Sequence, residues 1–369
     1  MMTNNNQVNN KRVAILIENG FEDVEFQVPY KGLKMAGIEV VVLGSRMNQE
    51  YQGKHGKSIQ SDGTTAEALA IEFDAVVIPG GMAPAKMRIN PSTIRFVQEA
   101  IAQGKLVAAV CDGPQVLISA ELLKGKRATG FIDIHQNLIN AGAKYVDEPF
   151  VIDGNLLTAR QPGDLAIFTT ALLNRLGYGG KEAGLPNEKD THVEWWKLAD
   201  AWGGSTKSEI VQALNTALVG EHYSQETFEQ YVKKTTDAGV RSHSVREVLS
   251  LLQEMIQNKQ QTIQVLERRL ADFGEKPSIE TQAAEAYAKF KTALQGTDET
   301  FLLQSALHIT QIGAVDSYEL RRKYTDPVST QIFTQMQTDL THYEQRLAQL
   351  YRANRERESR KVPKDVQSA

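Results

Sequence analysis

The chain changes its hydrophobic rhythm near the middle, and that change decides what it can fold into. In the first half, apolar residues come in short, near-continuous runs: Arg12-Val-Ala-Ile-Leu-Ile17, Ile38-Glu-Val-Val-Val-Leu43, Ala75-Val-Val-Ile78 and Leu106-Val-Ala-Ala-Val110. Runs of this kind belong to strands buried on both faces, as in a parallel sheet covered by helices. Amphipathic stretches at Val24–Ala36, Pro91–Gln103 and Asp164–Leu176 supply those helices. Glycine follows the same division, with 20 of the 27 glycines between Met1 and Gly184. Tight turns between strands use glycine and long helices avoid it. An α/β three-layer domain is therefore expected over residues 11–177.

After Lys207 the apolar residues recur every three or four positions, the spacing of one helix face. Four such seams follow one another. They run Val211-Leu214-Leu218-Glu221-Gln225-Phe228-Val232, Val245-Leu249-Leu252-Ile256-Lys259-Ile263-Leu266-Leu270, Leu302-Ala306-Ile309-Gly313-Asp316-Leu320 and Phe333-Met336-Leu340-Tyr343-Leu347-Leu350. They predict an all-α four-helix bundle over 207–352, with the amphipathic piece Ser278–Leu294 lying outside it. Between the domains, 178–206 reads as a linker. It carries all three tryptophans on Val193–Trp202, with Trp195, Leu198 or Ala199, and Trp202 on one face, a pattern expected of a helix docked against one of the domains. Residues 1–10 are Asn-rich and 353–369 charged, and both are expected to be disordered.

With 41 Lys and Arg against 45 Asp and Glu the formal charge is −4, and the basic residues form no block. Nucleic acid is therefore not an expected partner. No run of 18 apolar residues occurs and the N-terminus has no hydrophobic signal core, so no membrane association and a cytoplasmic location are expected. The single cysteine, Cys111, allows no intramolecular disulfide and no thiolate metal cluster.

That cysteine lies where chemistry is expected. It follows the run Leu106–Val110, and Asp112-Gly113-Pro114 then opens a helix, an elbow that presents a side chain at the C-terminal edge of a parallel sheet. A thiol at a helix N-terminus gains thiolate stability. The turn Ile78-Pro-Gly-Gly81 lets backbone N–H groups approach a ligand, so Gly81 and Asp112 are the candidate oxyanion hole. Glu18 ends the first strand at the same edge, and a protonated carboxyl there could donate to the thiolate and lower the thiol pKa. Glu22, Asp23 and Glu25 read as an acidic helix start.

Glu18-Asn-Gly-Phe-Glu-Asp-Val-Glu25, the Ile-Pro-Gly-Gly turn, Val110-Cys-Asp-Gly-Pro-Gln-Val-Leu117, Asn140-Ala-Gly-Ala-Lys-Tyr-Val-Asp147 and Leu157-Thr-Ala-Arg-Gln-Pro-Gly-Asp164 together resemble the PfpI branch of the DJ-1/PfpI superfamily. That group is itself similar to class I glutamine amidotransferases. The resemblance implies a flavodoxin-like sandwich, a homo-oligomer, no cofactor, Cys111 as nucleophile, Glu18 as its acidic partner, and N–H groups of Gly81 and Asp112 as the oxyanion hole. It departs in one place: PfpI-type proteins carry histidine directly after the nucleophile, where this chain has Asp112. A carboxylate cannot accept a proton near neutral pH as imidazole does, and it opposes thiolate formation. Amide hydrolysis is disfavoured, while thiohemiacetal chemistry on a small aldehyde or oxidation of the thiol stays feasible. His135 and Arg160, in segments matching the family, are candidate pocket residues.

The helical half resembles a ferritin-like bundle in Leu214–Phe228, with Asp339-Leu-Thr-His342 as a degenerate Glu-x-x-His. A di-iron site needs glutamates and Glu-x-x-His pairs from facing helices, and the second helix offers Lys259 instead. No bound metal is expected. Glu221 and Lys259 are expected to form an interior ion pair in the metal's place. The sequence thus points to a cysteine-dependent hydrolase or aldehyde-detoxifying enzyme acting on a small aldehyde or peptide-like substrate. A redox-sensing scaffold with a vestigial site and an iron-handling protein are the alternatives.

Overall fold

The computed structural model describes residues 11–178, 184–239, 242–278 and 299–361. The expected disordered N-terminus and nearly all of the expected connecting piece Ser278–Leu294 lie outside them. By internal contacts the chain divides into two units, one running to Thr206 and including Arg322–Pro327, the other made of Lys207–Arg321 and the chain from Val328 onward.

In the first unit the strands are β1 Arg12–Leu16, β2 Glu39–Gly44, β3 Glu50–Gln52, β4 Ser58–Gln60, β5 Gly63–Thr64, β6 Ala75–Ile78, β7 Leu106–Val110, β8 Arg127–Ala128, β9 Lys144–Tyr145, β10 Phe150–Asp153 and β11 Leu156–Ala159. The helices are α1 Asp23–Met35, α2 Ala83–Met87, α3 Pro91–Ala102, α4 Pro114–Ser119, α5 His135–Asn140, α6 Leu165–Leu173 and α7 Trp195–Ala201. Seven strands form the main sheet in the order β10-β11-β7-β6-β1-β2-β5. It is parallel except for the antiparallel β10–β11 pair. The four runs read from the sequence are β1, β2, β6 and β7, and β6 and β7 are buried at every position, as strands covered on both faces must be.

The strand order reverses direction between β1 and β6. From β1 the chain builds outward to β2 and β5, then returns to the other side of β1 with β6, β7 and β11. The crevice at the carboxyl ends of such neighbouring strands is where open α/β sheets place ligands. The turns after β1, β6 and β7 therefore converge at one edge.

The tryptophan segment packs on α6 and α1. Trp195 and Ala199 pack with Ala166 and Ile167 of α6, and the Trp195 indole N–H donates to the Asp190 carbonyl at 3.1 Å. Trp202 lies against α1 at Gly32, where a Cβ would stand 3.3 Å from the indole and 2.7 Å from Thr169 Cγ2. Only a residue without a side chain allows that approach.

The second unit holds the four expected long helices, α8 Lys207–Asp237, α9 His243–Asp272, α10 Glu299–Lys323 and α11 Pro327–Lys361. Its core takes Phe228, Leu252, Ala306 and Leu347 from the predicted seams and adds Met255 and Leu303 beside them, all fully or almost fully buried. Two boundaries need correction. The last two residues of α10 and the connection to α11 count with the first unit. The helix expected to end at 352 continues to Lys361, because polar side chains rather than an apolar seam hold its last turns. Asn354 is buried and donates to Thr300 at 2.8 Å, and Arg357 pairs with Glu299 at 3.0 Å. Residues 362–369 lie outside the described chain.

Candidate active site

Cys111 leaves β7 in the left-handed region at φ 59°, a conformation that costs a non-glycine residue on the order of 1–3 kcal/mol. The strained residue is held from both sides. Its N–H donates to the Ala159 carbonyl at 3.0 Å, and its carbonyl accepts from Phe131 N–H at 2.9 Å. The next turn closes tightly: a Cβ at Gly113 would stand 2.4 Å from the Ile78 carbonyl. The Pro-Gly-Gly turn presses against the cysteine from β6. A Cβ on Gly80 would be 2.7 Å from Asp112 N and 2.8 Å from Cys111 Cβ, while Gly81 adopts φ 79°.

The carboxyl that faces the thiol belongs to Glu25. It is fully buried in the first turn of α1 and accepts from Gly80 N–H at 2.7 Å through Oε2, while its Oε1 has no hydrogen-bond partner among the described residues and its charge bears on the Cys111 thiol. Burial above all, with the Glu22 and Asp112 carboxyls adding to it, pushes Glu25 up to about 8, so at neutral pH it carries its proton. Glu18, expected to be the acidic partner, is turned the other way. It accepts from Asn19 N–H at 2.9 Å and from the Ser45 hydroxyl. Its partner Ser45 follows the end of β2, whereas the helix after the turn returns Glu25 to the crevice.

Asp112 is buried beside the thiol. Cys111 Sγ donates to its Oδ2 at 3.6 Å, and the same oxygen accepts from Arg322 Nη2 at 3.1 Å. Arg322 also donates to Asp133 at 3.3 Å and lies 4.7 Å over the Phe131 ring. Burial raises the Asp112 carboxyl, and the guanidinium opposes that rise. Glu22, 2% exposed, pairs with His55 Nε2 at 2.9 Å and with Lys54 at 3.7 Å, and it too is raised by burial.

The outcome for the thiol reverses the expectation of a lowered pKa. Cys111 is 1% exposed, and burial first, then Glu25 and Asp112, push it well above the ordinary cysteine value, with Arg322 the opposing charge. The helix-dipole argument fails on magnitude: the half-charge of a short helix cannot offset full desolvation beside two carboxyls.

The other candidate residues are held by the following contacts. Arg160 forms a bidentate pair with Asp164 at 3.0 and 3.2 Å and reaches Asp147 at 2.9 Å, tying the segment before α6 to the loop before β10. His135 packs edge-on against Tyr145 at 4.9 Å. Asp23 serves as a loop anchor, accepting from His55 N–H and Lys57 N–H at 2.9 Å each. Sequence reasoning missed Glu25, read as part of an acidic helix start, and Arg322, for which no local signal exists 210 residues from its partner.

In the second unit Lys259 Nζ donates to both carboxylate oxygens of Glu221 at 3.2 Å, both side chains being buried. The expected ion pair is present. An ammonium at this point does not fit a cation site, and among the described residues no group of three or more His, Cys, Asp or Glu comes together to hold a metal. Asp339 is committed to Asn258 and Gln335, at 3.0 and 2.8 Å.

Residues 11–175 match the family model described as DJ-1/PfpI. The chain is 44% identical to the "Deglycase PfpI" of Pyrococcus furiosus, over 42% of this chain and 92% of that protein. It is 40% identical to YraA of Bacillus subtilis, over 45% of this chain and 98% of that protein. A crystal structure of a two-domain protein containing DJ-1/ThiJ/PfpI-like and ferritin-like domains, from Anabaena variabilis, is 60% identical with a TM-score of 0.86. That match covers 93% of this chain and 96% of the other.

Proposed function

The chain belongs to the DJ-1/PfpI family, with a ferritin-like helical domain joined to it, and from that premise we propose that its first unit performs thiol addition to small α-oxoaldehydes. The observation that carries the reading is the burial of Cys111 beside Glu25, whose carboxyl is raised by burial to about 8, and beside the Asp112–Arg322 pair. A resting thiol with a raised pKa is a poor free nucleophile, so the proton must leave as sulfur attacks. Asp112 already accepts that proton in a hydrogen bond, and the Arg322 guanidinium opposes the rise that burial gives its carboxyl.

In the step, sulfur bonds to the aldehyde carbon and the thiol proton passes to Asp112. The carbonyl π pair moves to oxygen, which the N–H groups of Gly81 and Asp112 stabilise and Glu25 protonates. The product is a hemithioacetal. A proton shift between the two adjacent carbons gives a thioester, whose hydrolysis returns the thiol and releases a 2-hydroxy acid. Water is the sole co-reactant, and no electron acceptor is needed. Amide hydrolysis is disfavoured because no imidazole stands ready to protonate a leaving amine.

A second reading, a non-catalytic site, is favoured by the 1% exposure of Cys111. Consumption of methylglyoxal by the purified chain and by Cys111→Ser separates the two. Turnover that disappears with the thiol supports the enzyme, and equal background in both proteins supports the closed site.

A further inference from the structure

Within the helical unit, α8 and α10 are separated by a cavity of about 460 Å³ that reaches the Glu221–Lys259 pair. Its lining runs from Thr216 to Tyr231 on α8 and from Ser305 to Leu320 on α10, a span of sixteen positions on each helix, or roughly 20 Å at the helical rise. A cavity of this volume lined over that length suits one unbranched chain. Small residues make the cavity: Ala217, Gly220 and Ser224 on one side, Ser305, Gly313 and Ser317 on the other. A Cβ built on Gly220 meets nothing within 4 Å, so the helix backbone there faces open space. The rim is solvent-facing at Gly220, His308, Ile312 and Asp316. The volume lies in the range of small-molecule sites.

The polar equipment of the wall restricts the ligand. Glu221 and Lys259 neutralise each other, yet an ammonium has three donors and a carboxylate about four acceptor positions. The pair can therefore offer one more donor and one more acceptor to a neutral group. A carboxylate head would meet Glu221 and Asp316, and an ammonium head would meet Lys259. Either would have to break a buried pair.

We propose that this cavity is a binding site for a neutral, unbranched amphiphile whose head both donates and accepts, a medium-chain alcohol or primary amide, with the head on the Glu221–Lys259 pair and the chain along Gly220, Ile309 and Gly313. The site is independent of Cys111 and its chemistry.

The experiment is calorimetric titration of the full-length chain with octanol, octanamide, octanoate and octylamine in parallel. Octanol and octanamide bind saturably, and the two charged probes bind at least tenfold more weakly. Gly220→Leu, which fills the open space, weakens octanol at least tenfold while the thermal midpoint of the empty protein stays level or rises. Gly220→Ala adds a single methyl, keeps the test open should leucine disturb the bundle, and weakens octanol by a smaller but measurable factor. No saturable binding of octanol, equal binding of octanoate, or octanol affinity unchanged in both glycine variants would each overturn the proposal.

Discussion

Oδ2 of Asp112 accepts from Arg322 Nη2 at 3.1 Å and from the Cys111 thiol at 3.6 Å. One carboxylate oxygen thus joins the nucleophile to a cation supplied by the last turn of α10. In Arg322→Met the carboxyl loses the charge that opposes its rise, and the thiol loses the charge that opposes its own. Both pKa values move further up, and the buried Asp112, left without Arg322, destabilises the fold by roughly 3 kcal/mol. Asp112→Asn combined with Arg322→Met recovers most of that loss. Denaturant midpoints of the two variants check the stability, and the pH dependence of alkylation checks the thiol.

Asp112→His places imidazole where the thiol proton goes. A neutral imidazole is a better base near pH 7, but Arg322 disfavours the imidazolium it becomes. Methylglyoxal turnover is expected to rise on the order of tenfold or more in Asp112→His combined with Arg322→Met, within the usual range for a positioned base. The single substitution gains less. Steady-state rates of the two variants and the parent decide the matter.

The pH profile of turnover follows from the same geometry. Asp112 works ionised, so activity grows as pH rises through its elevated pKa. Glu25 works protonated, so activity falls as pH passes about 8. Glu25→Gln abolishes that alkaline limb. Stability carries a related signature. Because the folded value of Glu25, about 8, exceeds the ordinary 4.5, the folded state holds the proton more tightly, and stability declines as pH rises across that window. The decline is smaller in Glu25→Gln, measured as the difference in denaturant midpoint between pH 5 and 9.

The Glu221–Lys259 pair tests the helical unit. Lys259→Met leaves a buried carboxylate without its cation and is expected to cost about 3–5 kcal/mol, whereas Glu221→Leu combined with Lys259→Met returns to within about 1–2 kcal/mol of the parent. Equilibrium unfolding of the two variants measures the gap.

The strands β1, β2, β6 and β7 and the four long helices were legible because burial on both faces, or on one stripe, writes its own period into the chain. The cysteine elbow was legible from the strand before it and Gly113-Pro114 after it. Glu25 was not, because an acidic residue in a first helical turn has an ordinary electrostatic reason to be there, and only the path of α1 across the sheet edge shows that this one is buried. Arg322 was hidden by distance along the chain, since nothing in Glu319-Leu-Arg-Arg322-Lys marks one arginine as the partner of Asp112. The ion pair Glu221–Lys259 was legible for the opposite reason: a charge in an apolar seam needs a partner at matching height.

The direct test of the site is the pH dependence of Cys111 alkylation in the parent, Glu25→Gln and Glu18→Gln. Burial, Glu25 and Asp112 place the parent thiol above the ordinary cysteine value. Removing the Glu25 carboxyl brings it down toward that value, and Glu18→Gln, whose side chain is bound to Asn19 and Ser45, leaves it where it was. A parent thiol titrating below the ordinary value, or one shifted by Glu18→Gln and indifferent to Glu25→Gln, would contradict the account.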